Sequence, residues 1–195
     1  LSGLATPFND LAAYQASVAI TASILLLIVI YFLIQIFGWK WGMVMGYLLA
    51  LDPYFIGHSR VLHTDALLAL GMLISLLSLI HSRGQKKRYV IFSGIAAAFA
   101  TLTKLFAFGI IPPIVGIIIA LSWRQEARVR RIIELTAMWV GVYMLTMYVI
   151  WPALWIHSND VLAYLWSGLQ PYADDGRRVG ETSTFWWYYI REIFA

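Results

Sequence analysis

Apolar runs long enough to cross a lipid bilayer alternate with short polar turns along this chain. A spanning helix needs about 20 largely apolar residues. Ala12–Phe37 (AAYQASVAITASILLLIVIYFLIQIF) supplies one, after a polar lead-in over Leu1–Asp10. Gly38-Trp39-Lys40-Trp41 follows as a tight turn with interfacial tryptophans. Gly42–Ile56 is a shorter run, interrupted late by Asp52-Pro53, and Ala66–Ile80 is the next span. His81–Arg88 (HSRGQKKR) is a basic loop. Tyr89–Trp123 then carries one charge, Lys104, in 35 residues, with Pro112-Pro113 beyond it. That is about 1.5 crossings, so it predicts two short helices turning near Lys104. Arg124–Arg131 (RQEARVRR) is a second basic loop and Ile132–Trp155 the sixth span. From His157 the chain turns polar and aromatic, and Thr182–Thr184 before FWWYY reads as a helix start. The pattern predicts an all-α, polytopic transmembrane helical bundle of about six spanning helices over 1–156. Residues 157–195 are expected to form an extracytoplasmic loop with an aromatic interfacial helix.

Composition agrees. The 195 residues are 61% hydrophobic and 12% charged, with mean hydropathy +0.76, whereas soluble domains are about 25% charged. No cysteine is present, which excludes a disulfide framework and a thiolate metal site. The net charge of +4 raises nucleic-acid binding as an option, but the placement of the charges argues against it. Six crossings put Lys40, Arg83, Lys86, Lys87, Arg88, Arg124, Arg128, Arg130 and Arg131 on one side, nine of the 14 basic residues. By the positive-inside rule that side is cytoplasmic. The basic loops are then topology signals that touch anionic lipid. A chain that starts at Leu1 and stops at Ala195 inside a predicted helix is expected to be a piece of a longer protein.

The unusual polar chemistry falls on the other side. Leu51–Asp65 (LDPYFIGHSRVLHTD) holds two acids, two histidines and an arginine between apolar helices. Charge at membrane depth is costly and often marks function. Asp65 opens a span, where it or Thr64 suits a helix start; equally, its carboxylate could order an acceptor or pair with Arg60. Arg60 can grip two phosphate oxygens at once or snorkel to headgroups. His58, His63 and Asp65 form H-x4-H-x-D, a conceivable divalent-metal set that matches no strong zinc signature, so polar loop histidines are the plainer reading. Lys104 needs a counter-charge, which a lipid phosphate would supply, with snorkelling as its alternative. Trp151, Trp155, Trp166, Trp186, Trp187, Tyr188 and Tyr189 form an aromatic belt at the same side. A secondary transporter or a non-catalytic membrane scaffold would also use such residues. A transporter, however, places its site near the midplane on repeated broken helices, and no inverted repeat is visible here.

These residues also carry a family resemblance. SRVLHTDALLAL (Ser59–Leu70) resembles the loop and helix start of the protein O-mannosyltransferase and aminoarabinose-transferase group, polyprenyl-phosphate-dependent GT-C glycosyltransferases. ATLTK (Ala100–Lys104) followed by Pro112 is similar to the group's Leu-Thr-Lys element. WPALW (Trp151–Trp155) and WWYY (Trp186–Tyr189) resemble bacterial phospholipid carrier-dependent members. The resemblance implies an integral protein of the bacterial inner membrane. It would transfer a sugar, with inversion, from a polyprenyl-phosphate carrier to a protein, lipid or glycan acceptor on the extracytoplasmic side. It implies that Arg60 and Lys104, with His58 and His63 nearby, hold the carrier phosphate, and that Asp65 supports the acceptor or the active-site loop. The group's catalytic acid lies in a first outer loop with an Asp/Glu motif. Asp10, preceded by LSGLATPFN, has no acidic neighbour to form one. The main base is therefore expected outside these residues, and the 195-residue chain alone is expected to be inactive.

Overall fold

In lipid a backbone must satisfy its own hydrogen bonds, which for a chain without a closed barrel means helices. The structure, a computed structural model, describes residues 7–60, 64–123, 127–156 and 159. Among them there are helices and turns and no strand. The helices are α1 (Pro7–Phe37), α2 (Trp39–Ala50), α3 (Pro53–Arg60), α4 (Asp65–Ser82), α5 (Lys87–Thr103), α6 (Ile111–Ser122), α7 (Arg128–Ile150) and α8 (Ala153–Ile156). A 3-10 turn over Leu105–Ile110 links α5 to α6. The all-α membrane bundle expected from the hydropathy pattern is what forms. The chain divides into two units, Leu1–Ile150 and Trp151–Ala195. The bundle α1–α7 belongs to the first unit and α8 to the second.

Three stretches are long and apolar enough to cross a bilayer alone: Gln15–Phe37, Asp65–Ser82 and Arg128–Ile150. The other expected crossings are shorter. Ala107–Ser122 is a shorter apolar stretch, while α2 has 12 residues and α5 has 17. The expected alternation of direction is kept nonetheless. Gly42 and Gly46 of α2 lie against Ile34 and Ile30 of α1, so the two run antiparallel. Ser75 meets Ser93 across α4 and α5, again antiparallel. Lys87 meets Glu134 and Thr101 meets Tyr143, so α5 and α7 run parallel with α6 returning between them.

Two expectations change. The run expected to cross over Gly42–Ile56 ends at Ala50, and the stretch after it, expected as a loop, is helical over Pro53–Arg60. The reason is the role of Pro53. The Asp52 carbonyl accepts the Ile56 N–H at 2.9 Å, so Asp52 occupies the cap position and Pro53 the first helical position. A proline there loses nothing, because that N–H has no intrahelical partner. Pro53 thus interrupts the apolar run by beginning a new helix.

Small residues draw the bundle together. A Cβ on Gly42 would sit 2.5 Å from the Ile34 Cα, so only glycine lets α2 approach α1 this closely. Gly71 faces Ala100 in the same manner, where an added Cβ would come within 3.0 Å of the alanine methyl. On α7, Leu135, Trp139, Tyr143 and Met147 recur every fourth residue and are buried. Val140, Met144, Leu145, Tyr148 and Val149 are exposed on the same helix, as lipid-facing positions should be.

Candidate functional site

The polar groups that this packing brings together lie where α4 begins and α5 ends. Thr64 occupies the cap position of α4, and its carbonyl accepts the Leu68 N–H at 2.9 Å. Its side chain makes no capping bond. Asp65, the first helical residue, places its carboxylate at the positive end of the helix dipole. Lys104 ends α5 with an extended backbone, φ −155° and ψ 136°. Its N–H still reaches the Ala100 carbonyl at 3.3 Å, and its own carbonyl accepts the Ala107 N–H at 3.1 Å. The break expected near Lys104 is therefore real, and the lysine sits in its bend.

The Lys104 ammonium forms an ion pair with Asp65. Both side chains are part-exposed, at 37% and 39%. A lipid phosphate was the expected counter-charge of Lys104, where the structure supplies Asp65; the alternative pairing of Asp65 with Arg60 involves a side chain outside the described residues. The two residues are 39 apart in sequence and are brought together by the antiparallel α4–α5 packing. The pair balances the charge of each residue at this end of the bundle.

Two buried hydrogen-bond chains fix that packing. Ser93 donates to the Ser75 carbonyl at 2.8 Å and accepts from the Trp139 indole N–H at 3.0 Å, tying α4, α5 and α7 together. Nearer the site, the Tyr143 hydroxyl meets Thr101 Oγ1 at 3.0 Å, three residues before Lys104. Thr101 in turn donates to the Ala97 carbonyl at 3.0 Å. Trp139 and Tyr143 stack at 5.3 Å, one turn apart. Sequence reasoning missed these residues. The signal was present in the seryl seam Ser75–Ser78–Ser82 and in two aromatic residues with polar tips at i and i+4 of an apolar helix.

The other expected site residues divide as follows. The backbone of His58 and Arg60 belongs to α3, which packs against α1 and α4. Their side chains, and His63 altogether, lie outside the described residues. So do Trp166, Trp186, Trp187, Tyr188 and Tyr189. Among the described residues no three His, Asp or Glu side chains gather as a metal would require.

At the other end of the bundle Glu134 takes Lys87 at 2.7 Å and Arg131 at 3.0 Å. Arg131 also donates to the Gly84 carbonyl, through Nε at 3.1 Å and through a second guanidinium nitrogen. The two basic loops are thus tied to each other, and the Asp65–Lys104 pair stands at the opposite end of α4 and α5.

A family model described as dolichyl-phosphate-mannose-protein mannosyltransferase matches residues 7–156, which include every helix named above. The chain belongs to this family. It is accordingly an integral membrane protein and a glycosyltransferase of the mannosyltransferase type. No curated protein and no solved structure gives a significant match to it. The family match contains Asp65 and Lys104, and with them the packed α4–α5–α7 core that sets their separation.

Proposed function

We propose that this chain contributes the donor-phosphate side of a glycosyltransferase site that moves a sugar from a polyprenyl-phosphate carrier to an acceptor. The family's name gives dolichyl-phosphate-mannose as donor and protein as acceptor for its members. For this chain the observation that carries the reading is the part-exposed Lys104–Asp65 pair, set in a helix break at one end of the bundle. A polyprenyl-phosphate has its tail in lipid and its phosphate at the interface, so a cation at a helix end meets it at the right depth.

The chemistry needs two things: positive charge on the phosphate that departs and a base for the acceptor hydroxyl. Lys104 supplies the first, with Arg60 as its proposed partner from the end of α3. Asp65 holds the ammonium in place until the phosphate arrives. Its charge is then already engaged, so it positions the lysine and is not the base. A site at the end of the bundle also suits an interfacial headgroup better than a midplane cargo.

Transfer from labelled polyprenyl-phosphate-mannose by the full-length protein in proteoliposomes tests this. Lys104→Ala should lower transfer by about a hundredfold, the usual cost of removing one preorganised charge-stabilising donor, while the protein stays folded. Transfer at the wild-type rate by both Lys104→Ala and Arg60→Ala would sink the assignment. The proposed side of action is extracytoplasmic. The chain has no cysteine, so single Leu51→Cys and Gln85→Cys variants can report it with a membrane-impermeant thiol reagent. Leu51→Cys should label in intact cells and Gln85→Cys after permeabilisation; the reverse result would place the site in the cytoplasm.

A further inference from the structure

At the basic end, α1 and α5 enclose a groove of about 330 Å³ lined by Ile28, Tyr31, Phe32, Arg88, Tyr89 and Phe92. Phe32 is its buried floor, in ring contact with Tyr89 at 6.1 Å and Phe92 at 5.9 Å. Tyr31 and Phe92 form walls that stay exposed, so the groove opens sideways from the bundle. For an integral membrane protein sideways means lipid. From Ile28 to Phe32, and from Arg88 to Phe92, the helices advance about 6 Å at 1.5 Å per residue. That depth seats the upper part of an acyl chain.

The mouth of the groove is cationic. The Arg88 guanidinium lies 4.8 Å from the centre of the Tyr89 ring and reaches its hydroxyl at 3.3 Å. The Lys86 ammonium lies 5.9 Å from the same ring. Lys87 and Arg131, by contrast, are both taken by Glu134. Among the described residues neither Lys86 nor Arg88 pairs with a carboxylate. Lys86 and Arg88 therefore stand beside an aromatic slot whose walls are exposed on the side of the bundle.

We propose that this groove is a binding site for an anionic glycerophospholipid. Its phosphate would lie against Lys86 and Arg88, and one acyl chain would run along Ile28, Phe32 and Phe92. The charge of the mouth selects against a zwitterionic headgroup, whose own ammonium the two cations repel. The proposal is independent of the Lys104 assignment, because the groove is at the other end of the bundle.

Native mass spectrometry of the full-length protein, titrated with dioleoyl phosphatidylglycerol or dioleoyl phosphatidylcholine, tests it. Phosphatidylglycerol should be retained about twenty-five-fold more tightly, at about fivefold for each cation near the headgroup. Lys86→Gln with Arg88→Gln should abolish the preference, and Lys40→Gln, a cation of the same end that does not line the groove, should keep it. Ile28→Trp fills the slot without touching the charges and should weaken both lipids, which separates a built site from a diffuse basic surface. Equal retention of the two lipids, or an unchanged preference in the double variant, would overturn the proposal.

Discussion

The two ends of the bundle each hold a carboxylate paired with lysine, and they differ in what surrounds the pair. Glu134 sits on a continuous helix with Lys87 and Arg131 both on it, and Arg131 continues to the Gly84 carbonyl of the neighbouring loop. Through Lys87 and the Gly84 carbonyl that cluster joins α7 to α5 and to the loop before it. Lys104 instead leaves the helical path, with extended φ and ψ, to meet Asp65 at the first turn of α4. The first arrangement closes a loop against a helix. The second holds a cation at a bend, part-exposed, where on the proposed reading a phosphate joins the acid. The difference teaches that an ion pair is read by its backbone setting as much as by its distance.

That contrast can be broken or sharpened by substitution, in a descending series of effects. Lys104→Ala should cut sugar transfer by about a hundredfold while far-UV circular dichroism stays the same; a matching loss of helix would make the pair structural. Gly71→Val should come next. It forces a branched side chain into the 3.0 Å gap at Ala100, and overpacking of this kind costs about 1–3 kcal/mol. Denaturation in mild detergent should show that loss, with transfer falling because α4 and α5 carry the two members of the pair. Tyr143→Phe removes the buried bond to Thr101 at 3.0 Å, worth about 1 kcal/mol. It should lower stability modestly and raise the KM for donor more than it lowers kcat, since it loosens the approach to Lys104 without touching phosphate. Glu134→Gln should do least. Exposed ion pairs add little, so transfer should stay at the wild-type rate and Tm should move within error. A large loss of transfer in Glu134→Gln would erase the distinction between the two ends.

Much of the architecture was legible because lipid imposes simple rules. Gln15–Phe37, Asp65–Ser82 and Arg128–Ile150 stand out by length and apolarity alone. The break at Lys104 was legible too, since 35 residues with one central charge exceed a single crossing. Two features were not. Pro53 disfavours helix in the residue before it and favours the first position of the helix after it, and the order of residues does not say which effect governs. The result was a loop expected where α3 forms. The pairing of Asp65 with Lys104 was hidden for a different reason. Each residue alone announces a need for a counter-charge, but hydropathy does not encode which residue across 39 positions will meet it. That information lies in the register of α4 on α5, set by Gly71 against Ala100 and by Ser75 against Ser93. The groove at the other end was hidden likewise, because Tyr31 and Arg88 are joined only through the α1–α5 contact.

On the proposed reading Lys104 serves the donor phosphate and not the fold. The most direct test of that reading is the affinity of the full-length protein for polyprenyl phosphate, measured for the wild type, Lys104→Ala and Glu134→Gln. A hydrogen bond to a charged group contributes about 1.5–3 kcal/mol, so Lys104→Ala should weaken binding by about tenfold or more, and Glu134→Gln should leave it unchanged. Equal affinities for the wild type and Lys104→Ala would contradict the account and return the Asp65–Lys104 pair to a purely structural role.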